Sequence, residues 1–175
     1  RGGAGDREVY PSVDGNERAA DRCEGYADAA SISMILGIVG SEAAKFTPMT
    51  EAATRSTIRA LIERLTPGRV VSGRCHLGGV DIYAVEEARA MGVDVQEYPP
   101  RVHSWQAGYM PRNIRIAEAS DHVACVTLKE LPPGYTGMRF RLCYHCGTTE
   151  HVKSGGCWTV KYARKIGKTG EVIAL

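Results

Sequence analysis

The stretch Met34–Gly40, MILGIVG, decides the fold. An unbroken apolar run of this length, rather than an alternating one, suits a central strand covered on both faces. Downstream, short apolar runs alternate with segments of helical period, the pattern of βαβ units and a mostly parallel sheet. Thr47 before Pro48 reads as a helix start, and Ala53, Ile58, Leu61, Ile62 and Leu65 recur at helical spacing until Pro67-Gly68. A second short strand is expected over 69–72. A glycine-containing turn over 73–79 then leads to a helix presenting Val80, Ala84, Val85, Ala88 and Met91, ended by Gly92. The same reading predicts strands over 93–98, 122–128 and 171–174 and helices over 112–119 and 155–166.

Upstream of Met34 the character changes. Residues 1–33 hold four basic and seven acidic side chains with scattered Gly, Ser and Asn and no apolar periodicity, and they read as a disordered extension. The segment lacks the pattern of a secretory signal, and Met34 is the expected natural start. The remaining residues, the expected domain over 34–175, carry 18 basic and 13 acidic side chains, near +5. The whole chain, at +2, is too balanced to announce nucleic-acid binding by charge alone. No window approaches the roughly 18–20 apolar residues of a membrane span.

Three predicted strand ends carry small residues where a helix begins: Gly40-Ser41, Ser72-Gly73 with Gly78-Gly79, and Ser154-Gly155-Gly156. In a parallel sheet all three lie on the carboxyl edge, where open α/β folds bind ligands. Glycine lets the backbone approach an anion, and the unpaired N–H groups of a helix start favour negative charge. A phosphate-bearing ligand is the natural guest.

The order GIVGS, SGRCHLGGVDIYAVEEA, EYPP, a Trp, RNIRIAEASDHVACV and SGGCWTVKYARKIGK resembles the SLOG superfamily. That superfamily includes the DNA-processing protein DprA and the cytokinin-activating phosphoribohydrolases; the likeness is greatest to small stand-alone bacterial and phage members. The resemblance covers nearly all of residues 35–174. It implies a Rossmann-like three-layer sandwich with a mostly parallel five-stranded sheet, and a nucleotide or nucleotide-derived ligand. By position it implies that Gly40 and Ser41 form a first ligand turn and that Ser72, Gly73, Gly78, Gly79 and Asp81 form a second. Arg112 and Asn113 match a pair whose Arg faces the pocket, and Ser154, Gly155, Gly156 and Thr159 match a last turn that cradles phosphate. The residue-level alternatives are a surface ion pair of Arg112 with Glu118 or a neighbour and an Asp81 that serves only the helix dipole.

One departure bears on activity. The phosphoribohydrolase motif GGxGTxxE ends in a Glu that serves cleavage of the N-glycosidic bond, and Tyr162 stands at that position here. A neutral phenol cannot stabilise an oxocarbenium-like centre as a carboxylate does, so a hydrolase would need Asp81, Glu86 or Glu87 instead. Glu86 and Glu87 are expected on the solvated face of their helix.

The six cysteines separate by placement. Cys23 lies in the extension, Cys75 in a glycine turn and Cys125 in a strand, where it reads as inert and buried. Cys143, Cys146, His151 and Cys157 put four soft ligands within 15 residues, which suggests a structural zinc with no open position and no redox cofactor. His145 is the competing imidazole; a disulfide or free thiols are the alternatives. Relative to simple family members, residues 131–153 look like an insertion, Cys/His-rich and set before the final glycine turn.

Two functions follow. The first is binding of a nucleotide-derived small molecule, as a sensor or a nucleotide-processing hydrolase, with Trp105, Tyr109 or Trp158 to stack on a base. The second is binding of single-stranded DNA, which Arg139, Arg141, Lys153, Lys161, Arg164, Lys165 and Lys168 permit. A Cys75 nucleophile beside His76 ranks third, having no further triad member in view. A cytoplasmic location, no membrane partner and a homodimer complete the expectations.

Overall fold

The computed structural model describes residues 33–175. The expected extension, with Cys23, lies outside the described residues apart from Ser33. Strand β1 (Ile35–Gly40) takes the central place that its apolar run demands, between β2 (Arg69–Gly73) and β4 (His122–Thr127). Strands β3 (Asp94–Tyr98) and β5 (Thr169–Ala174) form the edges, and every pairing is parallel. The order β3-β2-β1-β4-β5 is that of an α/β Rossmann-like sandwich.

Helices α1 (Pro48–Leu65) and α2 (Val80–Ala90) cover one face; α3 (Met110–Ala119) and α4 (Gly155–Lys165) cover the other. The chain winds from β1 toward β3, crosses back beyond β1 to β4, and right-handed crossovers then place the two helix pairs on opposite faces. Alternation along β1 divides the core. Leu36 and Ile38 pack with Ile58, Leu61, Val80 and Ala84, whereas Val39 packs with Ile116, Ala117, Val160 and Ala163. Each buried Val, Leu or Ile among these contributes about 1.5–3 kcal/mol.

The expected elements are present, with shifted ends. Helix α1 starts at the Thr47–Pro48 signal with a capping box between Thr47 and Thr50, and stops at Thr66, which takes the left-handed conformation. Strand β5 starts at Thr169, two residues early, because polar residues are tolerated where an edge strand is only half covered. Helix α3 starts at Met110 rather than at 112. A π-helical turn over Trp105–Tyr109, capped by Ser104, leads into it, and Pro111 sits in its first turn where a missing N–H costs little.

Glu86 is half exposed, as expected, but Glu87 is not on a solvated face. It is 4% exposed between α1 and α2, accepting from Arg59 Nε at 2.5 Å and Arg55 Nη1 at 3.0 Å. Burial pushes the Glu87 carboxyl up, but the Arg59 and Arg55 hydrogen bonds outweigh it and hold it below the usual range. Among the described residues no helix is long and apolar enough to cross a membrane.

Candidate functional site

A parallel sheet brings every strand's carboxyl end to one edge, and the order reverses on either side of β1, which opens a crevice there. A cavity of about 400 Å³ occupies that edge, a size ordinary for small-molecule sites. Gly40, Ser41, Gly78, Asp81, Arg112, Asn113, Ser154, Gly155 and Gly156 line it, so all three glycine turns and the arginine meet at one place.

Arg112 comes from the first turns of α3 and is 7% exposed. Its Nη1 donates to Asp81 Oδ2 at 2.5 Å, across from the first turn of α2. A guanidinium has five N–H donors. This is the only hydrogen bond the Arg112 guanidinium makes among the described residues, and its buried Nε has no partner. Gly73, at the end of β2, explains why the guanidinium fits: a Cβ there would collide with Arg112 Nη1. The ion pair with Glu118 does not form, since Glu118 accepts from Tyr162 Oη at 3.4 Å instead. Asn113, 4% exposed, also faces the cavity.

Helix α4 points its start into the same space. Ser154 caps it, its Oγ accepting from Gly156 N at 3.1 Å. Gly156 permits α4 to press against β1 and β4, because a Cβ there would stand 2.7 Å from Cys125 Sγ and 3.0 Å from Gly40 N. The first turn of a helix therefore presents N–H groups and the positive end of its dipole to the cavity.

Four expected ligand residues stand outside the cavity lining. Ser72 is fully buried and donates to the carbonyls of Ile38 at 2.6 Å and Asp81 at 3.2 Å, which ties α2 to β1. Gly73 makes room for Arg112, Gly79 packs against the β1 turn ahead of α2, and buried Thr159 Oγ1 donates back to Gly155 O. Ser41 lines the cavity, but its hydroxyl is shared with Thr127 Oγ1 at 2.9 Å.

Trp105 and Tyr109 line the cavity, whereas Trp158 lies behind, packed edge-on against Trp105. Tyr162 stacks on Trp158 with ring centroids 5.4 Å apart and is not in the cavity wall. Sequence reasoning missed Glu42, Lys45, Tyr135, Met138 and Phe140, and gave Lys153 no part in this wall. Lys45 Nζ donates to Lys153 O at 3.3 Å and lies 3.6 Å from Glu42 Oε1, which in turn accepts from Tyr135 Oη at 3.2 Å. A lysine four residues beyond Ser41 was the one signal available for this group.

Cys75 lines the cavity, but burial raises its thiol above the ordinary value, so it is a poor nucleophile at neutral pH. Its neighbour His76 stacks on His103 at 3.7 Å and hydrogen-bonds Tyr109 Oη at 3.1 Å.

The insertion between β4 and α4 brings Cys143, Cys146, His151 and Cys157 together, with their ligand atoms within 4.8 Å of one another. A tetrahedral zinc–thiolate site needs sulfurs about 3.8 Å apart, so this group could hold a metal ion. Its local chemistry fits. Cys143 to Gly147 forms a tight turn closed by Cys146 N and Gly147 N on Cys143 O, with Gly147 at φ +72°. His151 Nδ1 donates to Val152 O at 3.0 Å, leaving Nε2 as the free lone pair. His145 stays outside the group, its ring stacked near Trp105 and its Nε2 buried without a partner. Burial, helped by Lys153 and Lys161, pushes His145 down to about 4. Burial and the neighbouring Cys157 and Cys143 push the Cys146 thiol up to about 12. Cys125 is fully buried, as expected, with its Sγ 3.8 Å from that of Cys157.

No family model matches the chain, and neither does any curated protein or solved structure, so the geometry of the site carries the functional reading.

Proposed function

We propose that the cavity binds a phosphate-bearing nucleotide or nucleotide-derived ligand. One observation carries this reading: Arg112 is a buried guanidinium with one of its five donors spent, on Asp81, beside the start of α4. Guanidinium forks and helix N-termini both favour a tetrahedral oxyanion. The aromatic walls of Trp105, Tyr109 and Phe140 offer surfaces for a base.

Binding is better supported than cleavage. The carboxylates in the wall, Glu42 and Asp81, are engaged by Lys45 with Tyr135 and by Arg112, and the family's catalytic position is the remote Tyr162. The Cys143, Cys146, His151 and Cys157 group is read as a structural zinc site, since four protein ligands leave no open position. The test is a melting-temperature panel of nucleoside mono- and diphosphates at millimolar concentration. Several should raise the midpoint, and Arg112→Ala should abolish the rise. A flat panel would remove the reading.

A second reading, single-stranded DNA, draws on the arm over 138–144. There Met138, Phe140 and Tyr144 are exposed, interleaved with Arg139 and Arg141, and Lys153 Nζ sits 4.7 Å over Phe140 and 5.2 Å over Tyr144. Stacking surface beside cations is what a single strand recognises. Oligonucleotide affinity should fall steeply with salt; no binding at low salt removes this reading.

A further inference from the structure

The wall that the insertion adds to the cavity has little besides the Cys/His group to hold it. Between Leu131 and Lys153 there is no helix or strand, only one isolated bridge of Cys143 with Thr148. Its hydrogen bonds to the rest of the described domain are Tyr135 Oη on Glu42, Val152 N on Leu128 O, Thr127 Oγ1 on Val152 O and Lys45 Nζ on Lys153 O. All but the first sit at the insertion's last two residues. Burial does not fix the arm either, because Met138 is 73% and Tyr144 54% exposed. What enters the core is Cys143, 0% exposed, next to Cys157, 1% exposed. Cys157 belongs to the turn of α4 that carries Gly155 and Gly156.

We propose that a metal held by Cys143, Cys146, His151 and Cys157 is the clamp that completes the anion cavity, making ligand binding metal-dependent. The inference rests on the phosphate-ligand reading above. Metal bonds tie the arm to the start of α4, and so seat Tyr135, Met138 and Phe140 in the wall of the crevice. A second contact runs through His145, which adjoins Cys146 and stacks near Trp105. Trp105 stands over Gly155, where a Cβ would be 3.5 Å from its ring, so releasing the Cys143–Gly147 turn frees a second piece of wall.

The experiment strips the full chain with a chelator under reductant, removes the chelator, and reloads half of it with zinc. Hydrogen exchange of amides 135–146 is followed with and without metal, and adenosine monophosphate and inorganic phosphate are titrated calorimetrically into both forms. Stripping should speed exchange in the arm while β1 and β4 amides keep their protection. If the unclamped arm is in place about a tenth of the time, affinity falls about tenfold. Zinc should restore both, and Cys146→Ser, at an exposed position, should behave as the stripped protein. Equal affinity in both forms overturns the clamp and leaves the ligand reading intact, as does arm exchange that ignores the metal. Metal-dependent exchange with no binding by either form supports the clamp and overturns the ligand reading.

Discussion

Replacing Asp81 with Asn keeps the side-chain shape but removes the one charged partner that Arg112 has among the described residues. Both side chains are nearly buried, at 7% and 8% exposure, so the variant holds an uncompensated guanidinium. Breaking a buried pair from one side costs about 3–5 kcal/mol; the pair borders a cavity open to water, so about 2–3 kcal/mol is expected. For a domain of this size 1 kcal/mol moves Tm by about 3 °C, which puts the midpoint about 8 °C lower in phosphate-free buffer. Phosphate should then repair the variant. An anion at about a hundred times its Kd contributes about 2.7 kcal/mol, close to the loss. Melting scans of wild type and Asp81→Asn across a phosphate series give the answer, and the variant should gain more from phosphate than the wild type. Adding Arg112→Met should remove the gain. A variant that melts with the wild type, or one whose phosphate gain does not exceed it, refutes the reasoning.

Gly156→Ala should cost about 1–3 kcal/mol by overpacking, because its methyl meets Cys125 Sγ and the Gly40 backbone. Urea unfolding measures this, and nucleotide binding should weaken with it as the start of α4 is displaced. The Glu87 carboxyl titrates below its unfolded value of 4.5, so its stabilisation is present above that pH and is lost as pH falls through the lower, folded value. Glu87→Gln should therefore be less stable than wild type at neutral pH, with the gap closing below pH 4.5; a constant gap in acid melts contradicts the assignment. Elemental analysis of purified protein should find close to one zinc per chain, lost in Cys143→Ser. A value well below one equivalent, or one unchanged by that substitution, removes the zinc assignment.

Much of the fold is legible because its signals are local. The unbroken apolar run of β1, the Thr47–Pro48 start of α1 and the Gly167 turn after α4 each announce themselves within a few residues. The π-helical turn before α3 left no such trace, since its shape depends on Ser104 and on Gly108 passing tightly against the Val102 carbonyl. The place of Glu87 is hidden for a similar reason. Beside Glu86 on the helix it reads as solvated, and only the approach of α1 with Arg55 and Arg59 turns it into a buried partner. The candidate site divides the same way. Glycine turns and the Cys/His spacing could be read along the chain, while Tyr135, Met138 and Phe140 enter the wall only because the insertion folds back over it.

The sequence by itself determined a parallel α/β domain with its helix starts gathered on one edge, because hydrophobic period and glycine placement are properties of neighbouring residues. It also determined that four soft ligands lie close along the chain. Only the tertiary structure decided which of the small residues face the cavity and which merely hold it, and that Arg112 answers to Asp81 rather than Glu118. Those outcomes turn on which helices pack across the sheet from one another, and charge pairing between distant segments is set by that packing and not by spacing along the chain.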